Sequence, residues 1–407
     1  MKNSICFVTV GQAGGNIADL LSEEGYKVLS INTSEEDLAT LKNVELKYHV
    51  QNGKGCSKDR TTAKYLLSND IDRIIEKIRV FTEDFEFVYV VFSAGGGTGS
   101  GMGPTICDIL LQDVFIDEDE DGKYNTKYLG AITILASDID SPQARENSIA
   151  CFHELMNIEG LSGVWCLKNC NNRSIVSINR TFVNLLTSIL DIPSKYKSVD
   201  GNVDKSEIMK SLSTYGINIA AMLGGNKVNT TQILEKLRDN IFAPLNQDSE
   251  SKGMSYIVSS TQSPLNYDSI KTEFGLYRDE FHTFNQEKNI VMLTGLEFPT
   301  EHLDDMGIKL SEEAKKLAVQ NTSTRRRRIN TNVSILDTEM RKIKNETRRE
   351  EAKLQRQLRE EEELRQQKQL EEEKLEKEQD EVIVAKPRIS RRDSLLQQFK
   401  QPNRRRI

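Results

Sequence analysis

Several protein classes are missing from this sequence. No stretch approaches the roughly 18 consecutive apolar residues of a membrane-spanning helix, so a membrane is not an expected partner. The opening MKNS runs straight into a short apolar strand and a glycine loop, which gives no room for a secretory signal core. Cysteine is sparse: Cys6, Cys56, Cys107, Cys151, Cys166 and Cys170 are scattered without a CxxC pair, and the four histidines do not cluster with them. That pattern reads as reduced thiols in core positions rather than as a metal site. The phosphate-binding lysine of a GxxxxGK[ST] loop is also absent. A net charge of −7 with 29% charged residues suits a soluble protein and excludes nothing by itself.

What the chain does have is concentrated at 92–102, FSAGGGTGSGM, between an apolar strand at 87–91 and a helical pattern at 104–111. Gly95, Gly96, Gly97, Gly99 and Gly101 allow positive φ and close backbone approach to a ligand. Amides at the start of the following helix then face an anion that the helix dipole favours. Thr98 and Ser100 add hydroxyl donors. A phosphate cradle is expected. A flexible linker is the alternative, but linkers do not join an apolar strand to an amphipathic helix.

The chain opens in a similar way. The strand 5–10 leads into Gly11, Gln12, Ala13, Gly14, Gly15 and Asn16, and then a helix. Strand, glycine loop and helix begin a nucleotide-binding α/β unit. A dinucleotide fold fits poorly. The glycines are spaced G-x-x-G-G, and the second strand, 27–31, ends in Asn32-Thr33-Ser34 where a ribose-binding acid would stand. Further strands at 87–91, 129–136 and 163–167 alternate with helices, one of them at 61–79. This predicts an α/β fold with a doubly wound parallel sheet over residues 1–177. The acidic run 117–122 matches the first half of an EF-hand loop, but Tyr128 stands where the bidentate glutamate belongs, so it reads as a surface turn.

Beyond this, a helix starts at 178 within a segment reaching 200. A second, smaller α/β domain is expected over 201–300, with strands at 219–223, 255–259 and 290–294 and a helix at 230–241. A closing helix is expected within 301–323. From Thr324 the composition changes. Residues 324–382 read as a solvated helix laced by ion pairs, without sustained heptads. The tail 383–407 carries Lys386, Arg388, Arg391, Arg392, Lys400, Arg404, Arg405 and Arg406 against the single acid Asp393, and is expected to be disordered when free.

GGGTGSG resembles the phosphate-loop signature of the tubulin/FtsZ superfamily of GTPases. GQAGGN is similar to that family's first loop, and INTS, containing Asn32, with the downstream Asp37 is similar to its second. Residues 53–60, GKGCSKDR with Gly55, resemble the third loop, which in the family senses the γ-phosphate; Lys54, Lys58 and Arg60 add positive charge. Arg145 aligns with an arginine that meets phosphate, although Ser141 replaces the glutamate the family carries four residues earlier. Asn179, in the family's long central helix, and Asn169 match base or ribose contacts. An amide offers guanine a donor and an acceptor together; each asparagine alone reads first as a cap or turn residue, and the placement of the two after the strand 163–167 and at the helix start weakens that alternative. GNVDKSEI at 201–208 resembles the family's synergy loop, placing Asp204 and Glu207 as the catalytic pair. Helix N-terminal charge is the plain alternative for both.

The resemblance covers roughly residues 1–300. The charged helix and basic tail make the chain most similar to the TubZ group of bacterial plasmids and phages. That implies GTP/GDP and Mg²⁺ as cofactors, and head-to-tail filaments in which the next subunit supplies Asp204 and Glu207. It further implies a centromere-binding adaptor on plasmid or phage DNA as partner of the C-terminal tail, in a bacterial cytoplasm. A non-hydrolysing tubulin-like regulator and a cell-division FtsZ-like protein are the alternatives.

Overall fold

The computed structural model describes residues 1–327 apart from 120–121, 170–172, 200, 225–227, 248, 250–253, 261–264 and 286–287. The expected charged helix, from residue 328 onward, and the whole basic tail lie outside the described residues, as does Cys170.

The strand β1 (Ile5–Val10) is buried at every position. A parallel strand covered on both faces is apolar throughout rather than alternately, which is why ICFVTV reads as one run. The helix α1 (Gly11–Glu23) starts without a connecting loop. β2 (Lys27–Asn32), α2 (Glu35–Thr40), β3 (Leu46–His49) and α3 (Arg60–Thr82) follow. Asp59 caps α3 by accepting from the Thr61 amide at 2.8 Å, and Ile71, Ile74, Ile75 and Ile78 form its buried face. β4 (Phe87–Ser93) then delivers the glycine loop to α4 (Thr98–Ile109), whose last turn widens to π geometry at Leu110–Val114.

A small hairpin, β5 (Ile116–Asp119) and β6 (Gly122–Asn125), stands where the sequence suggested only an acidic turn. β7 (Tyr128–Leu135), α5 (Pro142–Met156), β8 (Gly163–Lys168), α6 (Ile175–Leu190) and α7 (Ile192–Lys195) complete the first part of the chain. The rest is α8 (Lys205–Leu212), β9 (Gly216–Gly224), α9 (Thr230–Arg238), β10 (Met254–Ser260), α10 (Tyr267–Phe274), β11 (Asp279–Asn285), β12 (Lys288–Leu296) and α11 (Thr300–Arg327). Residues Met1–Ser311 form one compact unit, and the remainder of α11 belongs to a second.

One sheet runs through the first unit in the order β11-β10-β12-β9-β8-β7-β4-β1-β2-β3. Neighbours from β3 to β9 are parallel, while β12 is antiparallel to both β9 and β10. β8 is shared. Its first half pairs with β9 at Gly163–Trp165, and its second half bonds residues 241–243, through Lys168 N to Ile241 O and Ala243 N to Cys166 O, both 2.8 Å. Trp165, Phe182 and Phe242 close this junction with ring centroids 5.6–6.3 Å apart. Parallel strands put all their C-terminal ends on one side of the molecule, and loops there form the cleft of an open α/β sheet.

Candidate functional site

A cleft of about 520 Å³ opens at those C-terminal ends. β1 ends at Val10 and hands over to Gly11, Gln12 and Ala13; β2 ends at Asn32; β4 ends at Ser93 and continues through Gly95, Gly96, Gly97, Thr98 and Gly99. The loop after β3 contributes Gly55, Cys56, Ser57 and Lys58, and the segments after β7 and β8 contribute Asp140 and Asn169. Asn16 and Asn179 line a smaller cavity of about 210 Å³, and Ile175 lines both cavities, so the two adjoin. An extended anion with a flat, hydrogen-bonding end group fits such a pair of spaces.

Other expected residues serve the site from behind. A Cβ on Gly14 would lie 2.5 Å from the Val91 carbonyl oxygen, so Gly14 lets α1 lie directly on β4. Gly15 packs against Leu41. Ser100 is fully buried, and its hydroxyl donates to the Gly96 carbonyl, bracing the glycine loop. Arg145 is buried in α5 and does not line the cleft. Arg60 is committed too: its guanidinium donates to the Ser100 carbonyl at 2.9 Å and pairs with Glu154 at 2.7 Å.

The phosphate-facing loops are tied to one another by contacts that the sequence did not show, one of them from Asn147, a residue sequence reasoning passed over. The Thr33 and Thr98 hydroxyls lie 2.7 Å apart, and Thr33 also meets the Cys56 thiol at 3.4 Å. Buried Asn147 donates from Nδ2 to the carbonyls of Lys58, at 2.8 Å, and Gly95, at 3.3 Å. A buried asparagine inside a helix was the available signal. Ser57 and Lys58 hold left-handed backbone, with φ of 43° and 64°. Consecutive non-glycine residues there store strain that the surrounding contacts must hold.

The sheet's opposite end carries the other predicted pair. A pocket of about 850 Å³ is lined by Glu86, just before β4, Tyr128, the first residue of β7, and Asp204, Lys205, Glu207 and Lys210 around α8. Asp204 and Glu207 form a reciprocal capping box. Asp204 Oδ1 accepts from the Glu207 amide at 2.9 Å and the Ser206 hydroxyl at 2.7 Å, and Glu207 Oε2 accepts from the Asp204 amide at 2.9 Å. The backbone amide of Glu207 and then the Ser206 hydroxyl hold the Asp204 carboxyl below the usual carboxylate range. Each acid keeps one oxygen outside these bonds: Oδ2 of Asp204 and Oε1 of Glu207. β4 and β7 separate this pocket from the cleft, and strands of seven and eight residues span about 20 Å or more.

The five described cysteines are free and buried. Among the described residues, no group of three or more His, Cys, Asp or Glu is arranged to hold a metal ion, and no helix is long and apolar enough to cross a membrane.

The family profile for the tubulin/FtsZ GTPase domain matches residues 4–171, the part of the chain that builds the glycine cradle. The chain belongs to the tubulin/FtsZ family, and is thus a guanine-nucleotide-binding GTPase. It is 30% identical over 302 residues to the tubulin-like protein TubZ of Clostridium botulinum C phage, covering 73% of this chain and 80% of that protein. The crystal structure of Clostridium botulinum phage c-st TubZ superposes with a TM-score of 0.68 at 27% identity, covering 78% of this chain and 100% of the other. The GTPγS-form protofilament of Bacillus thuringiensis serovar israelensis TubZ gives 0.66 at 15% identity, over 80% and 95% of the two chains, a likeness of fold.

Proposed function

We propose that this protein assembles head to tail with GTP, hydrolyses it at the junctions between subunits, and uses the filaments to position plasmid or phage DNA in a bacterial cytoplasm. The observation that carries the reading is the separation of cleft and acids at opposite ends of the same strands. One chain cannot bring them together, whereas translation of one subunit along the strand direction can. Exposed apolar side chains at both ends supply contact surface: Ile139, Ile175 and Val176 near the cleft and Tyr128 at the far end.

The cleft would take the phosphates on Gly11 to Ala13 and Gly95 to Gly99, and the adjoining cavity the guanine on Asn16 and Asn179. Among the described residues Lys58 is the cation lining the cleft, against Asp37 and Asp140. A triphosphate there needs further positive charge, so the site fits Mg²⁺ held by the nucleotide with Asp37 or Asp140 nearby. Bound, the ion would neutralise charge on the β- and γ-phosphate oxygens. The adjacent subunit's Glu207 orients a water against the γ-phosphorus. The water oxygen forms the new bond, the bond to the β–γ bridging oxygen breaks, and the water's proton passes to Glu207. Phosphoryl transfer depends mainly on such positioning and charge stabilisation.

A second reading, a nucleotide-binding regulator that does not hydrolyse, rests on the capping box, which employs both acids structurally. Complementation separates the two. Glu207→Gln keeps an acceptor for the box and an intact cleft, and alone should hydrolyse GTP about 10²-fold more slowly; Gly97→Val keeps the acids but weakens the cleft, and alone should be slow at GTP concentrations below its own dissociation constant. Mixed, they should recover activity at junctions pairing a good cleft with good acids. Mixed filaments that pellet together and stay inactive would refute the shared site.

The composition of segment 324–407, charged and poor in apolar residues with a basic end, supports a cargo-docking role in which an adaptor bound to centromeric DNA recognises the tail. Truncation at 325 should leave GTP-dependent pelleting intact and abolish co-pelleting of the adaptor–DNA complex. A truncated filament that still carries the complex would remove the tail from that role.

A further inference from the structure

We propose that Lys205 acts across the subunit junction, leaving Glu86 to neutralise the neighbouring subunit's γ-phosphate during hydrolysis. This rests on the shared site above. Lys205 is the first residue of α8 and lies in the same pocket as Asp204 and Glu207. Two carboxylates brought against a triphosphate repel it at close range, and the repulsion grows as water is expelled from the junction. A compensating cation must arrive with them.

Lys205 is placed to be that cation. Its Nζ pairs with Glu86, and the two side chains are 44% and 58% exposed. Such solvated pairs contribute little, so exchanging Glu86 for a polyanionic phosphate is easy. The helix does not depend on this pair for its position. Ile208 and Leu212, fully buried, anchor α8 in the core. Lys205 balances charge on the γ-oxygens while the water's proton goes to Glu207 and the bridging oxygen leaves with GDP.

The test uses full-length Lys205→Met, Lys205→Arg, Glu86→Gln and Glu207→Gln. Turnover at saturating GTP is measured per pelleted subunit, alongside GTP affinity of the unassembled protein. Lys205→Met should slow hydrolysis about tenfold or more, short of the larger effects of buried arginine fingers, with affinity unchanged. Lys205→Arg should retain most of the rate, and Glu86→Gln should raise it by releasing the lysine. Parental turnover in Lys205→Met would overturn the proposal. So would a fall in Glu86→Gln equal to that in Lys205→Met, the result expected of a pair that only steadies the helix. Parental turnover in Glu207→Gln as well would instead overturn the shared site itself.

Discussion

The two ends of the sheet are built from different materials. The cleft end is lined largely by glycines, small side chains and backbone, with Lys58, Asp37 and Asp140 as its charges. The far end is lined by charged side chains, Glu86, Asp204, Lys205, Glu207 and Lys210. The first is pre-assembled, because Asn147, Thr33 and Ser100 bond its loops to one another. The second keeps carboxylate oxygens and a solvated ammonium in reserve. On the proposed function, binding belongs to one face and chemistry to the other, and substitutions should separate them: affinity should move at one end and turnover at the other.

The largest expected separation is at the glycine loop. A Cβ on Gly97 would lie 2.9 Å from Asp59 N and Cys56 Cβ, and 3.0 Å from Lys58 Cα. It would therefore push the strained 53–59 loop out of the cleft rather than meet the phosphate itself. Gly96 is different, since its nearest neighbour would be Ser93 Cβ at 4.0 Å. Overpacking costs of about 1–3 kcal/mol put Gly97→Val roughly tenfold to hundredfold down in GTP affinity, with a lower melting temperature. Gly96→Ala should melt like the parent and lose less affinity. Calorimetric titration of the unassembled protein decides. Equal affinities for Gly97→Val and parent would break the comparison at the binding end.

These contacts also mark where the sequence stopped being readable. The strands of the parallel core were legible because burial on both faces leaves uninterrupted apolar runs, as in FVYVVFS of β4. The glycine loops were legible because few other structures use such strings. β11, DEFHTFN, was not, since an edge strand tolerates polar residues and loses the apolar signature. β3 is likewise short and at an edge. The sequence predicts α11 within 301–323, whereas it runs from Thr300 to Arg327, because a charged helix carries weak boundary signals. At the site, the glycine types could be read but not what each one faces. Gly14 and Gly97 proved to be positions of close protein packing. Arg60 reads as phosphate-facing charge and instead bonds Ser100 and Glu154, because an arginine's partners depend on tertiary placement. Asn147 escaped notice because its partners, Lys58 and Gly95, are far from it in sequence.

The smallest effect, and the sharpest at the far end, is the split between capping and chemistry at Asp204. Its Oδ1 carries the cap, so Asp204→Ala should cost about 1 kcal/mol of stability. Asparagine caps as well as aspartate, so Asp204→Asn should melt within about 0.5 kcal/mol of the parent on the surface-substitution scale. It nevertheless removes the charge, and turnover at saturating GTP should fall while GTP affinity holds. The pH dependence has a fixed sign. A carboxyl held below its usual range stabilises the fold fully above the ordinary aspartate value, about 3.9, and that contribution is lost as pH falls through the lower folded value. Between neutrality and pH ~4, then, Asp204→Asn and parent should melt in parallel, and the parent alone should lose the Asp204 contribution on further acidification. Parental turnover in Asp204→Asn would leave Asp204 as a helix cap and nothing more, with Glu207 the only acid in the chemistry.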